Sequence, residues 1–161
     1  MYKKALVPLD GSDLAACALP QVGSLVEEGL VEEVTLLNVV NVGLPVDLPR
    51  DAECPIRTSR LMREHGFDIG ALRKPLFAAS AKYLAGVESR LSTKGIKVKT
   101  VSVEGSRPAD AIRDYARKNG MDLIVMSTRG YTGLKKALWG CVAAEVLNQS
   151  PVPMLLVRPT A

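Results

Sequence analysis
The residues best suited to chemistry lie between positions 122 and 142, DLIVMSTRGYTGLKKALWGCV, and the chemistry they suit is anion binding. An apolar strand over 123–126 carries Met126 and Ser127 to its C-terminal edge, and Arg129, Gly130 and Gly133 follow there. Glycine lets backbone approach a phosphate closely, Ser127 offers a hydroxyl donor, and Arg129 offers charge. Gly140 comes ten residues after Gly130 and opens a helical run through Cys141 and Val142, so the chain would meet one ligand twice. The second contact is a helix N-terminus, where amide hydrogens and the positive end of the dipole favour an anion.

These residues need a scaffold, and the rest of the chain reads as one. A short apolar run at 5–8 stops at Asp10-Gly11-Ser12, a turn whose serine can cap the next helix. Leu14, Ala18, Leu19, Val22 and Val26 recur at helical spacing. The run VTLLNVV at 34–40 is continuous rather than alternating, as in a strand buried on both faces of a parallel sheet. Residues 41–70 are rich in Pro, Gly and charge and read as a lid-like insertion with a short helix around 59–64. Leu72, Leu76, Ala79, Tyr83, Val87 and Leu91 then predict a long helix closed at Gly95. Val98, Val101 and Val103 mark a third strand, and Gly105-Ser106-Arg107-Pro108 leads into a helix that ends at Asn119-Gly120. After the fourth strand and the helix from Gly140, PMLLVR at 153–158 is a fifth strand. Alternating strands and helices imply an open parallel α/β sheet with helices on both faces, a fold that holds ligands at the C-terminal ends of its strands.

Composition narrows the function classes. At 161 residues the expectation is one domain with a real core. Hydrophobic residues make up 47% and no apolar run reaches the length of a membrane span, which predicts a soluble protein without membrane contact. No secretory signal is visible, and three cysteines far apart suggest neither a disulfide framework nor a zinc site, so a reducing cytoplasm fits. The balance of 21 Lys and Arg against 17 Asp and Glu is too even, and seven aromatics too scattered, for a nucleic-acid surface. The first strand runs into DGSD rather than GxGxxG, and GxxxxGK[ST] is absent, which argues against dinucleotide and P-loop sites. The single histidine, His65, lies in the insertion, so no dedicated catalytic constellation can be drawn.

Four pieces in order, VPLDGS at 7–12, GSRPADAI at 105–112, DLIVMSTRG at 122–130 with the later GCVAAEVL, and PVPMLLVR at 151–158, resemble the universal stress protein family. The likeness covers residues 2–40 and about 82–158. It implies a Rossmann-like five-stranded parallel sheet of the adenine nucleotide alpha hydrolase type, in order 3-2-1-4-5. It also implies a homodimer, here through the apolar strand 153–158, and, in one branch, bound ATP. That branch's loop reads Gly, two residues, Gly, nine residues, Gly, then Ser or Thr. Gly130 and Gly140 match, whereas Ser127 replaces the first glycine and Cys141 the hydroxyl residue. By resemblance Asp10 approaches the ribose, the Val39 backbone meets the adenine edge, and Pro8 and Leu9 line the base pocket.

The ligand implied is ATP, ADP or AMP, with or without magnesium, in a regulatory stress-response module. The alternatives are a nucleotide-free dimeric interaction module, which Ser127 and Cys141 would suit, and a slow ATP hydrolase. Turn chemistry alone also explains Gly130, Gly133, Gly140 and Asp10. Cys17, between alanine neighbours on a helix, reads as a small buried hydrophobe, and Trp139 as a packing residue.

Overall fold
Apolar runs without polar alternation can be satisfied only by strands covered on both faces, and this sets the architecture. The computed structural model describes residues 1–42, 69–92, 95–128 and 141–159. Its strands β1 (Tyr2–Pro8), β2 (Val31–Val40), β3 (Lys97–Glu104), β4 (Leu123–Ser127) and β5 (Met154–Val157) pair in parallel in the order β3-β2-β1-β4-β5. The helices described are α1 (Asp13–Ala16), α2 (Leu19–Glu27), α3 (Ile69–Ser92), α4 (Pro108–Lys118) and α5 (Cys141–Asn148). This is the open parallel sheet that the sequence predicts. The short helix expected around 59–64 lies outside the described residues.

Side-chain alternation along each strand divides the core into two layers. Ala5 and Val7 of β1 and Leu123 and Val125 of β4 pack with Val22, Leu84 and Val87, which come from α2 and α3. Leu6, Leu37, Ile124 and Met126 point the other way and pack with Ile112 and Ala116 of α4 and Val146 of α5. Fully burying one such aliphatic side chain stabilises the fold by roughly 1.5–3 kcal/mol, so the two layers supply most of the driving force. A third cluster, Val40, Val42, Leu72 and Leu76, joins the end of β2 to the start of α3.

Local chemistry fixes the ends. Ser12 caps α1 by accepting the Ala15 N–H, Pro108 stands in the first turn of α4, and Gly95, at φ 73°, follows α3. The single helix expected from Leu14 to Val26 is two helices. Pro20 has no N–H to continue a ladder and is accommodated only in a first turn, so the chain breaks after Cys17 and restarts as α2. Cys17 is correspondingly half-buried, not fully buried, and its Sγ–H donates to the Asp13 carbonyl at 3.3 Å. At the other end of the sheet, the Asp122 carboxylate accepts the backbone N–H groups of Lys3 and Lys4 at 2.8 and 3.0 Å, tying the start of β4 to β1. No helix of the described residues is long and apolar enough to cross a membrane.

Two features yield quantitative expectations. Gly86 is exposed in mid-α3, and a Cβ there would meet nothing within 4 Å. Gly86→Ala therefore stabilises the chain by about 0.5–1 kcal/mol, read as a raised urea midpoint, and an unchanged or lowered midpoint contradicts this account. Glu33 on β2 lies 2.8 Å from Lys97 on β3. That hydrogen bond, helped by the charges of Lys97, Lys4 and Lys99 and opposed by burial, holds the Glu33 carboxyl below its ordinary value of 4.5. Because the folded-state value is the lower one, the stabilisation is complete above pH 4.5 and is lost as pH falls through the folded value. Lys97→Ala should therefore flatten the acid side of the stability–pH curve, and identical slopes for both proteins would refute the assignment.

Candidate functional site
The site follows from the order of the strands. From β1 the chain moves outward through β2 and β3, then returns to the other side of β1 for β4 and β5. The reversal places the C-terminal ends of β1 and β4 side by side, with Ala5 opposite Leu123 and Leu6 opposite Ile124. The connection after β1 leads to α1 and α2 in one layer, and α5 belongs to the other. Adjacent strands that lead to helices in opposite layers are where folds of this kind hold ligands.

The wall after β1 is built from Pro8, Leu9 and Asp10. Leu9 is buried at 3% exposure, and its N–H donates to the Leu37 carbonyl at 2.8 Å. Asp10 is exposed, and one carboxylate oxygen accepts both the N–H and the hydroxyl of Ser12, at 2.9 and 2.5 Å. Gly11 between them has φ 85°, which a side chain would strain. Turn chemistry thus employs one oxygen of Asp10 to hold the loop.

Across the crevice, Met126 is buried and Ser127 half-buried at the end of β4. The Ser127 hydroxyl is directed at the Ala15 carbonyl of α1 at 3.4 Å, so the end of β4 meets the helix that follows β1. Thr128 is buried, and its N–H donates to Val157 at 2.9 Å, continuing the pairing with β5. Cys141 is the first residue of α5, as the sequence suggested for this helix start, and Val142 follows half-buried. Arg129, Gly130 and Gly140, together with Gly133, Trp139, Cys54 and His65, lie outside the described residues.

Val39 lies near the C-terminal end of β2. It pairs with Val103, and its Cγ1 faces the turn between β3 and α4. A Cβ added at Gly105 would lie 3.2 Å from that Cγ1 and 3.1 Å from the Ala111 Cβ, so glycine is what allows this turn to close against Val39. Gly105 stood in a sequence motif, but nothing local showed that its role is close packing.

Sequence reasoning also missed the residues behind the wall. Asn38, 1% exposed, donates from Nδ2 to the Leu9 carbonyl at 2.7 Å. Its Oδ1 accepts from the Ser80 hydroxyl at 2.8 Å, and Ser80 lies 2.6 Å from the Ser102 hydroxyl. The available signal was an amide inside a buried apolar strand, which has to find partners. Tyr83 sits beside the same loop. Burial first, then the charge of Asp10, pushes its phenol above the ordinary value, against the pull of Arg90 and the Gly11 amide. With Ala79, Lys82, Gly86 and Arg90, Tyr83 lines an open depression of about 470 Å³ along α3, and none of these residues belongs to the strand-end set.

A family model described as the universal stress protein family matches residues 1–158. The universal stress protein YxiE of Bacillus subtilis is 32% identical over 163 residues, covering 98% of this chain and all of that protein. The solved structure of MJ0577, a universal stress protein of Methanocaldococcus jannaschii, superposes with a TM-score of 0.72 at 30% identity, covering 99% of this chain and 98% of that one. A universal stress protein solved in complex with cAMP shares the fold, with a TM-score of 0.62 and 20% identity over 98% of this chain and 97% of that one. By sequence and by fold, the chain belongs to the universal stress protein family.

Proposed function
We propose that this chain binds an adenine nucleotide in the crevice between β1 and β4 and acts as a cytoplasmic regulatory module of the stress response. The observation that carries the reading is the approach of the Ser127 hydroxyl to the Ala15 carbonyl, which brings the Asp10 loop and the end of β4 to one edge. The start of α5 at Cys141 supports it, since a helix of eight residues beginning after this loop offers amide hydrogens to an anion. In this reading Pro8 and Leu9 line the base pocket, Asp10 and Val39 meet the ribose and the adenine edge, and Met126 closes the pocket floor. Ser127, Arg129, Gly130, Gly140, Cys141 and Val142 surround the phosphates, with ATP, ADP or AMP as ligand and magnesium as a companion of the longer phosphate chains. That a family member was solved with cAMP agrees with this ligand class.

Titration with a fluorescent ATP analogue tests the site. Saturable binding is expected, weakened roughly tenfold, or about 1.4 kcal/mol, by Asp10→Ala and abolished by Gly140→Val. A wild-type protein without a saturable signal ends this reading. One observation favours a second reading, a nucleotide-free interaction module: the Ser127 hydroxyl has a partner within the protein. At 3.4 Å that bond is at the limit of hydrogen bonding and is easily exchanged for a ligand oxygen.

Self-association is the other part of the proposal. Among the described residues β5, MLLV, is an unpaired edge with all four residues half-buried, whereas the opposite edge strand β3 carries exposed Lys97, Lys99 and Glu104. Charged edges resist pairing and apolar edges invite it, so two copies should join through β5. Light scattering at micromolar concentration should give twice the 17.3 kDa chain mass, and a monomer mass would overturn it.

A further inference from the structure
The buried chain of polar side chains behind the crevice has a direction. Ser80, fully buried, has one hydroxyl proton and gives it to Asn38 Oδ1, so Ser102 must be the donor in the 2.6 Å contact between the two serines. The chain runs from Ser102 on β3, through Ser80 on α3 and Asn38 on β2, to the Leu9 carbonyl. It ends on the residue immediately before Asp10. With the Leu9 N–H bonded to Leu37, both backbone groups of Leu9 are held from β2. The peptide bond between Leu9 and Asp10 is trans and planar, so its carbonyl and its N–H point in opposite directions. Drawing the carbonyl toward β2 turns the Asp10 N–H away from β2, to the side of β1 where β4 lies. Among the described residues that N–H has no acceptor.

We propose that Asn38 is a positioning residue that aims the Asp10 backbone N–H into the crevice as a donor to an acceptor oxygen of the bound nucleotide. The proposal rests on the nucleotide reading above and adds to it a donor and the device that orients it. A merely structural role would ask only that the Asn38 site be filled; aiming asks that a donor face the Leu9 carbonyl.

Substitution by a titratable isostere separates the two. In Asn38→Asp the neutral acid can accept from Ser80 and donate to Leu9, whereas the carboxylate can only repel the carbonyl. Calorimetric titration with ATP from pH 5 to pH 9 should give an affinity near that of wild type at the acid end and a loss of at least tenfold at the alkaline end. Wild type titrated alongside carries the same Asp10, Asp13, Tyr83 and Arg90 around the loop, so the ratio isolates the new carboxyl. Asn38→Val should be weak throughout, and Ser80→Ala, which keeps the donor but frees its orientation, should lose about two- to fivefold. Folded variants that bind ATP as wild type does at every pH would overturn the proposal. Should the Asn38 variants fail to fold, Ser80→Ala decides by the same criterion. A wild-type chain that binds no ATP removes the nucleotide reading, and the Asp10 amide resonance then judges the aiming. That resonance must shift in Ser80→Ala relative to a distant strand amide such as Val125, and an unmoved resonance refutes it.

Discussion
The candidate site rests on β1 being paired along both sides and covered on both faces. Ala5, Leu6 and Val7 are fully buried, so every backbone N–H and carbonyl there needs a neighbouring strand, and β2 and β4 supply them from opposite sides. Once β1 is central, its C-terminal end and that of β4 are neighbours. The chain then enters different core layers, since α2 packs with one and α5 with the other. The Asp122 carboxylate reinforces this from the opposite end of the sheet by fixing β4 against the start of β1. The alignment of β1 with β4 is thus supported by hydrogen bonds at the end of the sheet away from the candidate site.

Much of this was readable in the chain because its signals are local. The continuous apolar runs named the buried strands, Ser12 and Pro108 marked helix starts, and Gly95 marked an end. Strand starts were placed late, at Ala5 and Val34 instead of Tyr2 and Val31, because Lys3, Lys4, Glu32 and Glu33 interrupt the apolar run, although Lys4 and Glu33 pair in the ladder. The break between α1 and α2 was missed because helical spacing continues across Pro20 although the hydrogen-bond ladder does not. Asn38 and Ser80 are 42 residues apart, and their bond could not be seen along the sequence. The candidate residues on the described strands were legible through their position at strand ends. Their support was not, since it comes from the opposite face of the wall.

The polar atoms of the core differ in how they are treated. Each side-chain polar atom of Asn38 and Ser80 has a partner, whereas among the described residues the Thr35 Oγ1, equally buried on β2, has none. An unpartnered buried hydroxyl costs about 1–3 kcal/mol, while a satisfied chain of hydrogen bonds rigidifies what it touches. The satisfied hydrogen bonds are therefore concentrated three residues further along the same strand, level with the loop after β1.

The unequal edges of the sheet limit how far it can grow. Joining two copies by their apolar strands would use up both bare edges, leaving only the lysine- and glutamate-bearing borders of β3 at the two ends. Hydrated, charge-bearing borders template another strand poorly, so such a pair resists growing into a continuous ribbon. The same sequence asymmetry that would favour one union works against a fibre.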